Sequence, residues 1–340
     1  SKKGTRMGIL VVGGSGFIGS HLCRILAERG EEVVSYDVSA RPLGALLDAP
    51  ENVRAKVKVV GGSVNDIPKL FRTIKDNKVE GLVYVAAVLL EADEMPTEAL
   101  RVNVEGVANA CEGARLFDLR RVVYFSSQGV YGARDVLEPV SENATLEPTA
   151  GMYQMTKYLA ERLGEQYERQ YGVSFVSLRP SMVFGPGQRL YYPLNMILAH
   201  AVARTSFARP NGADHPIDYT YVKDCAEGAA LAYKSEKIKS PAYNISSGRL
   251  TTNAQVAEVV KKLYPGFRAE MGSGLIGSPI LWKRILTGPL NLELARRDLG
   301  YRPQYGVEGG IADYSSYLNA HPQELLQMTS ALVHPGEDWK

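Results

Sequence analysis

Tyr153 and Lys157 lie four residues apart in a stretch, about 151–171, that reads as one long helix, so their side chains share a face. A free phenol ionises at about pH 10 and is a poor base at neutrality. An ammonium one turn away favours the phenolate by Coulomb attraction. Such a phenol can take a proton from an alcohol, or return one to a ketone, while a hydride moves at the carbon. Tyr-x-x-x-Lys also occurs on many helices by chance, so context must separate the readings. Ser127 ends the strand before that helix, and its hydroxyl would sit where it can hold the reacting oxygen opposite the phenol. Taken alone, Ser126-Ser127 reads as an ordinary strand-end turn.

A hydride needs a carrier, and the start of the chain is built for one. Gly8 to Val12 reads as a buried parallel strand, followed by glycines at 13, 16 and 19. A helix pattern follows, with Ile18, Leu22, Ile25 and Leu26 on one face and Gly30 as its stop. The turn must be tight and open to close approach, and the helix would aim its N–H groups at a pyrophosphate. A second strand, Glu32 to Tyr36, ends in Asp37. A carboxylate there accepts from a ribose 2′-hydroxyl and repels a 2′-phosphate, which favours NAD over NADP. A glycine-rich turn by itself suits any α/β protein; strand, helix and acid together favour the dinucleotide.

Other elements must bring these residues together. Strands read at 57–60, 82–85, 122–125 and 173–178 alternate with helices at 67–76, 96–117 and 151–171. That order predicts an α/β fold of the Rossmann type, a doubly wound parallel sheet with helices on both faces. The small pair Ala86-Ala87 at a strand end would let backbone approach a flat ring. From Arg179 to Pro216 the pattern breaks into Pro, Gly and aromatic residues, with a helix near 194–204. Further helices read at 222–234, 253–263 (Thr251-Thr252-Asn253 as its cap), 292–299 and 307–318, with short strands at 243–245 and 267–271. Residues 272–290 read as irregular. The expected organisation is a nucleotide-binding domain over 7–180 and 218–264, and a smaller, discontinuous C-terminal substrate lobe over 181–217 and 265–320. A tail, 321–340, would dock or fray.

Composition excludes other classes. The 340 residues carry 39 Lys and Arg against 37 Asp and Glu, a net of +2, which argues against a nucleic-acid surface. Cys23, Cys111 and Cys225 are far apart and form no CxxC, so no disulfide framework or zinc site is expected, and no metal is expected elsewhere. No apolar run approaches the roughly 18 residues that a membrane span needs. Ser1 to Arg6 is polar and basic without a signal peptide's apolar core, and reads as a disordered leader of a cytoplasmic protein.

Further short motifs appear in order. They are Asn103-Val104-x-Gly106, Ser126-Ser127-x-x-Val130-Tyr131-Gly132, Arg179-Pro180, Gly185-Pro186-Gly187, Val222-x-Asp224, Tyr243-Asn244-Ile245 and Leu299-Gly300-Tyr301-x-Pro303. With the glycine turn, Asp37, Ala86-Ala87 and Tyr153-x-x-x-Lys157, the chain from about 8 to 320 resembles the extended short-chain dehydrogenase/reductase family. Its NAD-dependent epimerase/dehydratase group is typified by UDP-galactose 4-epimerase. The resemblance implies a catalytic set of Ser127, Tyr153 and Lys157, with Lys157 lowering the phenol's pKa and bonding the nicotinamide ribose. It implies NAD contacts from Gly13, Ser15, Gly16, Phe17, Ile18 and Asp37 at one end. Ser63, Val64, Ala86 and Ala87 would follow along the groove. Asn103, Tyr153, Lys157, Pro180 and Val183 would stand near the nicotinamide. Substrate contacts would come from Val88, Ser127, Gln128, Tyr153 and Arg189. Helices 96–117 and 151–171 would form a homodimer interface.

Departures from the family pattern bear on the substrate. Ser63 stands where an adenine-bonding Asp is usual. Met182 replaces an Asn near substrate phosphates, and Ile217 an Arg for a diphosphate. A later Arg-x-Gly-Asp motif is missing, with Thr287-Gly288-Pro289 near its expected place, and Gln128 replaces the acid of sugar 4,6-dehydratases. A diphosphate needs donors to offset its desolvation. Arg189, Arg204, Arg209, Lys283 and Arg284 are candidates, or are solvated surface charge; Tyr191, Tyr192 and Phe207 would line the pocket or pack in the core. The expectation is therefore an NAD-dependent oxidoreductase acting on a secondary alcohol or ketone of a small polar, sugar-like or acidic substrate that is not nucleotide-linked. The alternative is a nucleotide-sugar 4-epimerase with a rearranged diphosphate site. A catalytically silent NAD-binding module is the third reading.

Overall fold

Seven mostly apolar segments pair side by side, all parallel, into one central sheet. The computed structural model describes residues 8–41, 44–134, 137–189, 192–276 and 287–330. The chain runs through β1 (Gly8–Val12), β2 (Val33–Asp37), β3 (Val57–Gly61), β4 (Val79–Tyr84), β5 (Val122–Phe125) and β6 (Phe175–Pro180). Then come β7 (Met182–Phe184), β8 (Phe207–Arg209), β9 (Pro216–Tyr221), β10 (Ala242–Ile245), β11 (Leu250–Thr252) and β12 (Ala269–Met271). The large sheet has the order β3-β2-β1-β4-β5-β6-β10. This is the doubly wound Rossmann-type fold.

Side chains alternate across the sheet, and both faces are covered. Ile9, Val11, Val83, Val123 and Val176 pack under helices Phe17–Glu28 and Val222–Lys234. Leu10, Val12, Leu82, Tyr84 and Tyr124 pack under helices Ile67–Asp76 and Gly106–Leu116. Burial on both faces is why these strands read as apolar runs rather than alternating ones. Cys23, Cys111 and Cys225 are buried free thiols within these layers. A third cluster joins Phe184, helix Pro193–Val202, Tyr219 and Tyr221, helix Asn253–Leu263 and helix Gly306–Ala320. Thr252 and Gln255 close a reciprocal capping box at the start of helix Asn253–Leu263.

Several elements differ from the sequence reading. The helix expected over 96–117 is broken into Pro96–Leu100, a π-type turn Arg101–Glu105, and Gly106–Leu116. The Tyr84 hydroxyl donates to the Val102 carbonyl at 2.6 Å, and a side chain inserted into a helix ladder displaces it. The irregular region 181–217 contains β7 and the start of β9, which pair with each other while β11 pairs antiparallel with β9. Strands of three residues carry too little periodicity to be read. The helix expected over 292–299 is a π-type turn, Ala295–Leu299, closed by Gly300 at φ 71°. The tail beyond His321 docks as helix Pro322–Ser330, with Met328 buried in the third cluster. Among the described residues, no helix is long and apolar enough to cross a membrane, and no three His, Cys, Asp or Glu side chains are grouped to hold a metal.

Gly106 opens the helix after the π-type turn, and a Cβ there would collide with the Tyr84 hydroxyl and with Val64. Gly106→Ala is therefore expected to lower stability by about 1–3 kcal/mol. Urea denaturation would register this as a lower midpoint with an unchanged slope.

Candidate active site

In the sheet, β1 has β2 on one side and β4 on the other, so the chain reverses its direction of travel across the sheet there. The crevice beyond the carboxyl ends of such strands is where α/β folds bind ligands. Here it is a groove of about 730 Å3, running from Asp37 and Val38 past Ser127 and Tyr153 to Tyr192. Its floor is the turn after β1. Gly13 takes φ +83°, and a Cβ on it would come within 2.6 Å of the Ala86 nitrogen. Gly19 is as tightly held, since a Cβ there would strike the Gly13 carbonyl. Helix Phe17–Glu28 starts at Gly16 with no side-chain cap, and its first residues line the groove. That is an anion-binding helix terminus.

The far wall suits a nucleoside. Asp37 accepts the Ser15 N–H at 3.1 Å on one carboxylate oxygen and the Ser39 N–H at 3.0 Å on the other. These bonds hold the carboxylate at the groove's edge with lone pairs left for ribose hydroxyls. The Tyr36 hydroxyl donates to the Ser63 carbonyl at 2.9 Å, and Asn109 donates to the Val64 carbonyl at 3.1 Å. Both bonds stiffen the wall formed by Gly62, Ser63 and Val64. Ala86, Ala87 and Val88 continue that wall from β4. A flat dinucleotide fits this cradle, in which small residues line the middle and a carboxylate marks one end.

At the other end Ser127, Tyr153 and Lys157 meet. The Ser127 hydroxyl accepts the Gly129 N–H at 3.1 Å and lies beside the Tyr153 phenol. Lys157 is buried, donates to the Phe125 carbonyl at 2.7 Å, and lies 5.6 Å from the Tyr153 ring centre. Burial dominates both groups. It pushes the phenol up to about 12, against the neighbouring Ser127 hydroxyl, which favours the phenolate. It pulls the Lys157 ammonium down to about 7, with the Glu161 carboxylate pulling the other way. In the ligand-free protein the lysine therefore does not make the phenol acidic, contrary to the simple two-residue reading.

One turn beyond Lys157, the fully buried Glu161 takes a two-pronged bond from Arg179, at 2.9 and 2.7 Å. Burial works against the Arg179 charge, but the Glu161 pair and Tyr131 more than offset it. Arg179 also donates to the Tyr131 hydroxyl at 3.0 Å and the Glu142 carbonyl at 3.1 Å. The Tyr131 hydroxyl in turn donates to Asn244 at 2.7 Å. Helix Met152–Tyr171, β6, β10 and the 128–131 turn are thus one hydrogen-bonded unit.

Some expected contacts lie elsewhere. Asn103 is fully buried beneath the wall, where it bonds both backbone groups of Val88 and the Thr156 hydroxyl, so it shapes the groove without facing it. Ser15 turns its hydroxyl to the Arg41 carbonyl; only its N–H serves the site, through Asp37. Arg189 is exposed and is not on the groove wall; Gln188, held by the Val183 carbonyl, takes that place. Arg204 and Arg209 are also off the wall, and Phe207 is buried in the third cluster. Tyr191, Lys283 and Arg284 lie outside the described residues. Among the described residues, Lys157 is the only cationic side chain on the walls. Phe17, Ile18, Pro180, Val183, Gln128 and Tyr192 do line the groove. Asp93, Met95 and Gln154 line it too and were not anticipated. Gln154 adjoins Tyr153 and could have been flagged; nothing local marks Asp93 or Met95.

A family model described as the NAD dependent epimerase/dehydratase family matches residues 9–246. UDP-glucuronate 4-epimerase 4 of Arabidopsis thaliana is 29% identical over 333 residues, spanning 90% of this chain and 74% of the relative. UDP-glucose 4-epimerase of Lacticaseibacillus casei is 27% identical over 339 residues, spanning 93% and 98%. The Thermus thermophilus UDP-glucose 4-epimerase, solved in complex with NAD, superposes with a TM-score of 0.76 at 25% identity, covering 93% of this chain and 100% of that one. A family match over most of the chain, on a groove shaped for a dinucleotide, makes this protein a member of the NAD-dependent epimerase/dehydratase family of extended short-chain dehydrogenases/reductases, an enzyme with NAD as its cofactor.

Proposed function

We propose that the protein interconverts the C4 epimers of a nucleotide-linked sugar. The observation that carries this is the run of relatives named as UDP-sugar 4-epimerases, aligned over about nine-tenths of the chain. NAD, when bound, would supply reversible hydride transfer. Tyr153 takes the proton of the sugar hydroxyl as hydride leaves the same carbon, and gives it back when the ketone is reduced from the other face. Ser127 holds the reacting oxygen opposite the phenol. Lys157 would bond the nicotinamide ribose, and Pro180 and Val183, which line the groove, would back the ring. The phenol at about 12 and the lysine at about 7 describe the ligand-free groove. A cationic nicotinamide ring beside the phenol would favour phenolate in the complex.

A second reading, net oxidation of a sugar-like or acidic substrate without a nucleotide, is favoured by one observation. The described walls offer no arginine, and half-buried Met182 lines them where diphosphate enzymes carry Asn. The two readings separate when the enzyme is incubated with UDP-glucose and NAD. The 4-epimeric sugar nucleotide with no accumulating NADH supports the first. NADH formed from free sugars or hydroxy acids, with UDP-glucose inert, supports the second.

We also propose a homodimer. Leu100 and Leu116 on one side, and Met155, Leu159 and Tyr171 on the neighbouring helix, leave large apolar side chains exposed. Sedimentation should give twice the chain mass, and Leu159→Glu should give the monomer; a wild-type monomer at micromolar concentration would end this proposal.

Tyr153→Phe should lower kcat by at least about 100-fold with NAD affinity within threefold; full turnover in that variant would refute the acid–base assignment. Lys157 supplies a pH test. Its ammonium titrates at about 7 in the fold but at an unperturbed ~10.4 in the unfolded chain, so the unfolded state binds more protons between these values. Stability of the ligand-free enzyme should therefore rise from pH 7 to 9.5, and Lys157→Met should flatten that rise in denaturation midpoints.

A further inference from the structure

Helix Met152–Tyr171, which carries Tyr153 in its first turn, starts at Gly151, a residue with no side chain to cap it. A first-turn N–H without a partner weakens a helix end, and Asn, Asp and Ser are the residues that normally supply the acceptor. Here the acceptor comes from 59 residues earlier. The Asp93 carboxylate takes the Met152 N–H at 2.7 Å. The same carboxylate sits over Gly151, where a Cβ would come within 2.9 Å of its Oδ2. Asp93 belongs to the segment after β4, and that segment is itself bonded: Met95 N–H donates to the Glu91 carbonyl at 2.7 Å, and Asn103 grips Val88 by both backbone groups. Val88, Leu89, Asp93 and Met95 line the groove on one side of this contact, and Ala150, Tyr153 and Gln154 on the other.

The geometry points to Asp93 as a positioning residue for the proton transfer, and this rests on the acid–base role given to Tyr153 above. Its carboxylate supplies the cap that Gly151 lacks, reaching the first N–H of the catalytic helix from the groove wall of the same chain. It sets where the first turn begins and so where the phenol stands relative to Ser127. Gly151 is left bare because the carboxylate occupies the space that a local capping side chain would fill. A misplacement of the phenol by a fraction of an ångström weakens the proton transfer without touching the groove's cofactor end.

Hydrogen exchange of the Met152–Met155 amides, together with kcat for UDP-glucose as the probe, tests this on the full-length enzyme. Asp93→Ala should speed exchange of those amides about fivefold, with the Glu161–Tyr167 amides unchanged. It should lower kcat while KM for the probe and NAD affinity stay within twofold. Asp93→Asn keeps an acceptor and should behave like the wild type. The double variant Asp93→Ala, Gly151→Ser places a local acceptor for the Tyr153 or Gln154 N–H in the vacated space and should recover kcat and the slow exchange of those two amides. Gly151 has extended backbone, at φ 162°, that serine adopts freely. Wild-type exchange in Asp93→Ala, a failure of both restoring variants, or a loss expressed in KM would overturn the assignment. The amide readout stands without turnover: unchanged exchange with an inactive Tyr153→Phe sinks the cap alone, whereas an active Tyr153→Phe sinks the acid–base role and leaves the cap to be judged by exchange.

Discussion

Two buried polar contacts dock one helix onto the sheet, and the site exists because of them. Lys157 reaches the Phe125 carbonyl at the end of β5, and one turn on Glu161 is held by Arg179 of β6. Both contacts sit in dry surroundings, where an unpartnered charge costs several kcal/mol and removing one partner of the pair costs about 3–5 kcal/mol. The helix cannot slide or rotate without breaking them. Tyr153 is therefore presented at a set height beside Ser127, which ends the same β5 region. The ion pair need not add net stability to be decisive; it selects one docking of the helix over others that pack as well.

The same logic runs through the rest of the groove. A parallel sheet leaves its strand ends as a row of short turns on one edge, and the reversal of strand order at β1 opens a crevice between two of them. What fills the walls is polar chemistry turned inward to support backbone. Asn103 holds Val88, Tyr84 holds Val102, Tyr36 holds Ser63, and Asp93 holds Met152. None of these side chains needs to touch a ligand to define the shape that a ligand meets. The π-type turn at Arg101–Glu105 belongs to this set, since it lets Asn103 point into the wall.

The residues of the lobe were the hardest to place from the sequence. The nucleotide half is built from runs of apolar strand and helix, so its motifs stand at predictable element ends. The lobe is built from strands of three residues and from Pro- and Gly-rich connections, where side-chain direction follows contacts distant in sequence. Arg189 illustrates the difference. By residue type it was one of five candidate phosphate donors, or solvated surface charge; the loop turns Gln188 inward and leaves the arginine outside. The relatives' sugar-nucleotide chemistry and this chain's apolar Met182 pull in different directions, and only the residues between them in space bear on that tension.

Sequence alone determined the sheet and its order of elements, the glycine turn, Asp37 at the groove's end, and the meeting of Ser127, Tyr153 and Lys157. Each follows from local rules: apolar runs must be buried, glycine spacing admits backbone contact, and residues four apart on a helix share a face. Tertiary structure alone decided the protonation balance, because burial raises the phenol's pKa against the Ser127 hydroxyl and lowers the lysine's against the Glu161 carboxylate. It also decided that Asn103 and Ser15 support the groove from behind, and that a carboxylate from residue 93 caps the helix at residue 152. Desolvation and long-range hydrogen bonds depend on which atoms surround a group, and no stretch of neighbouring residues records that.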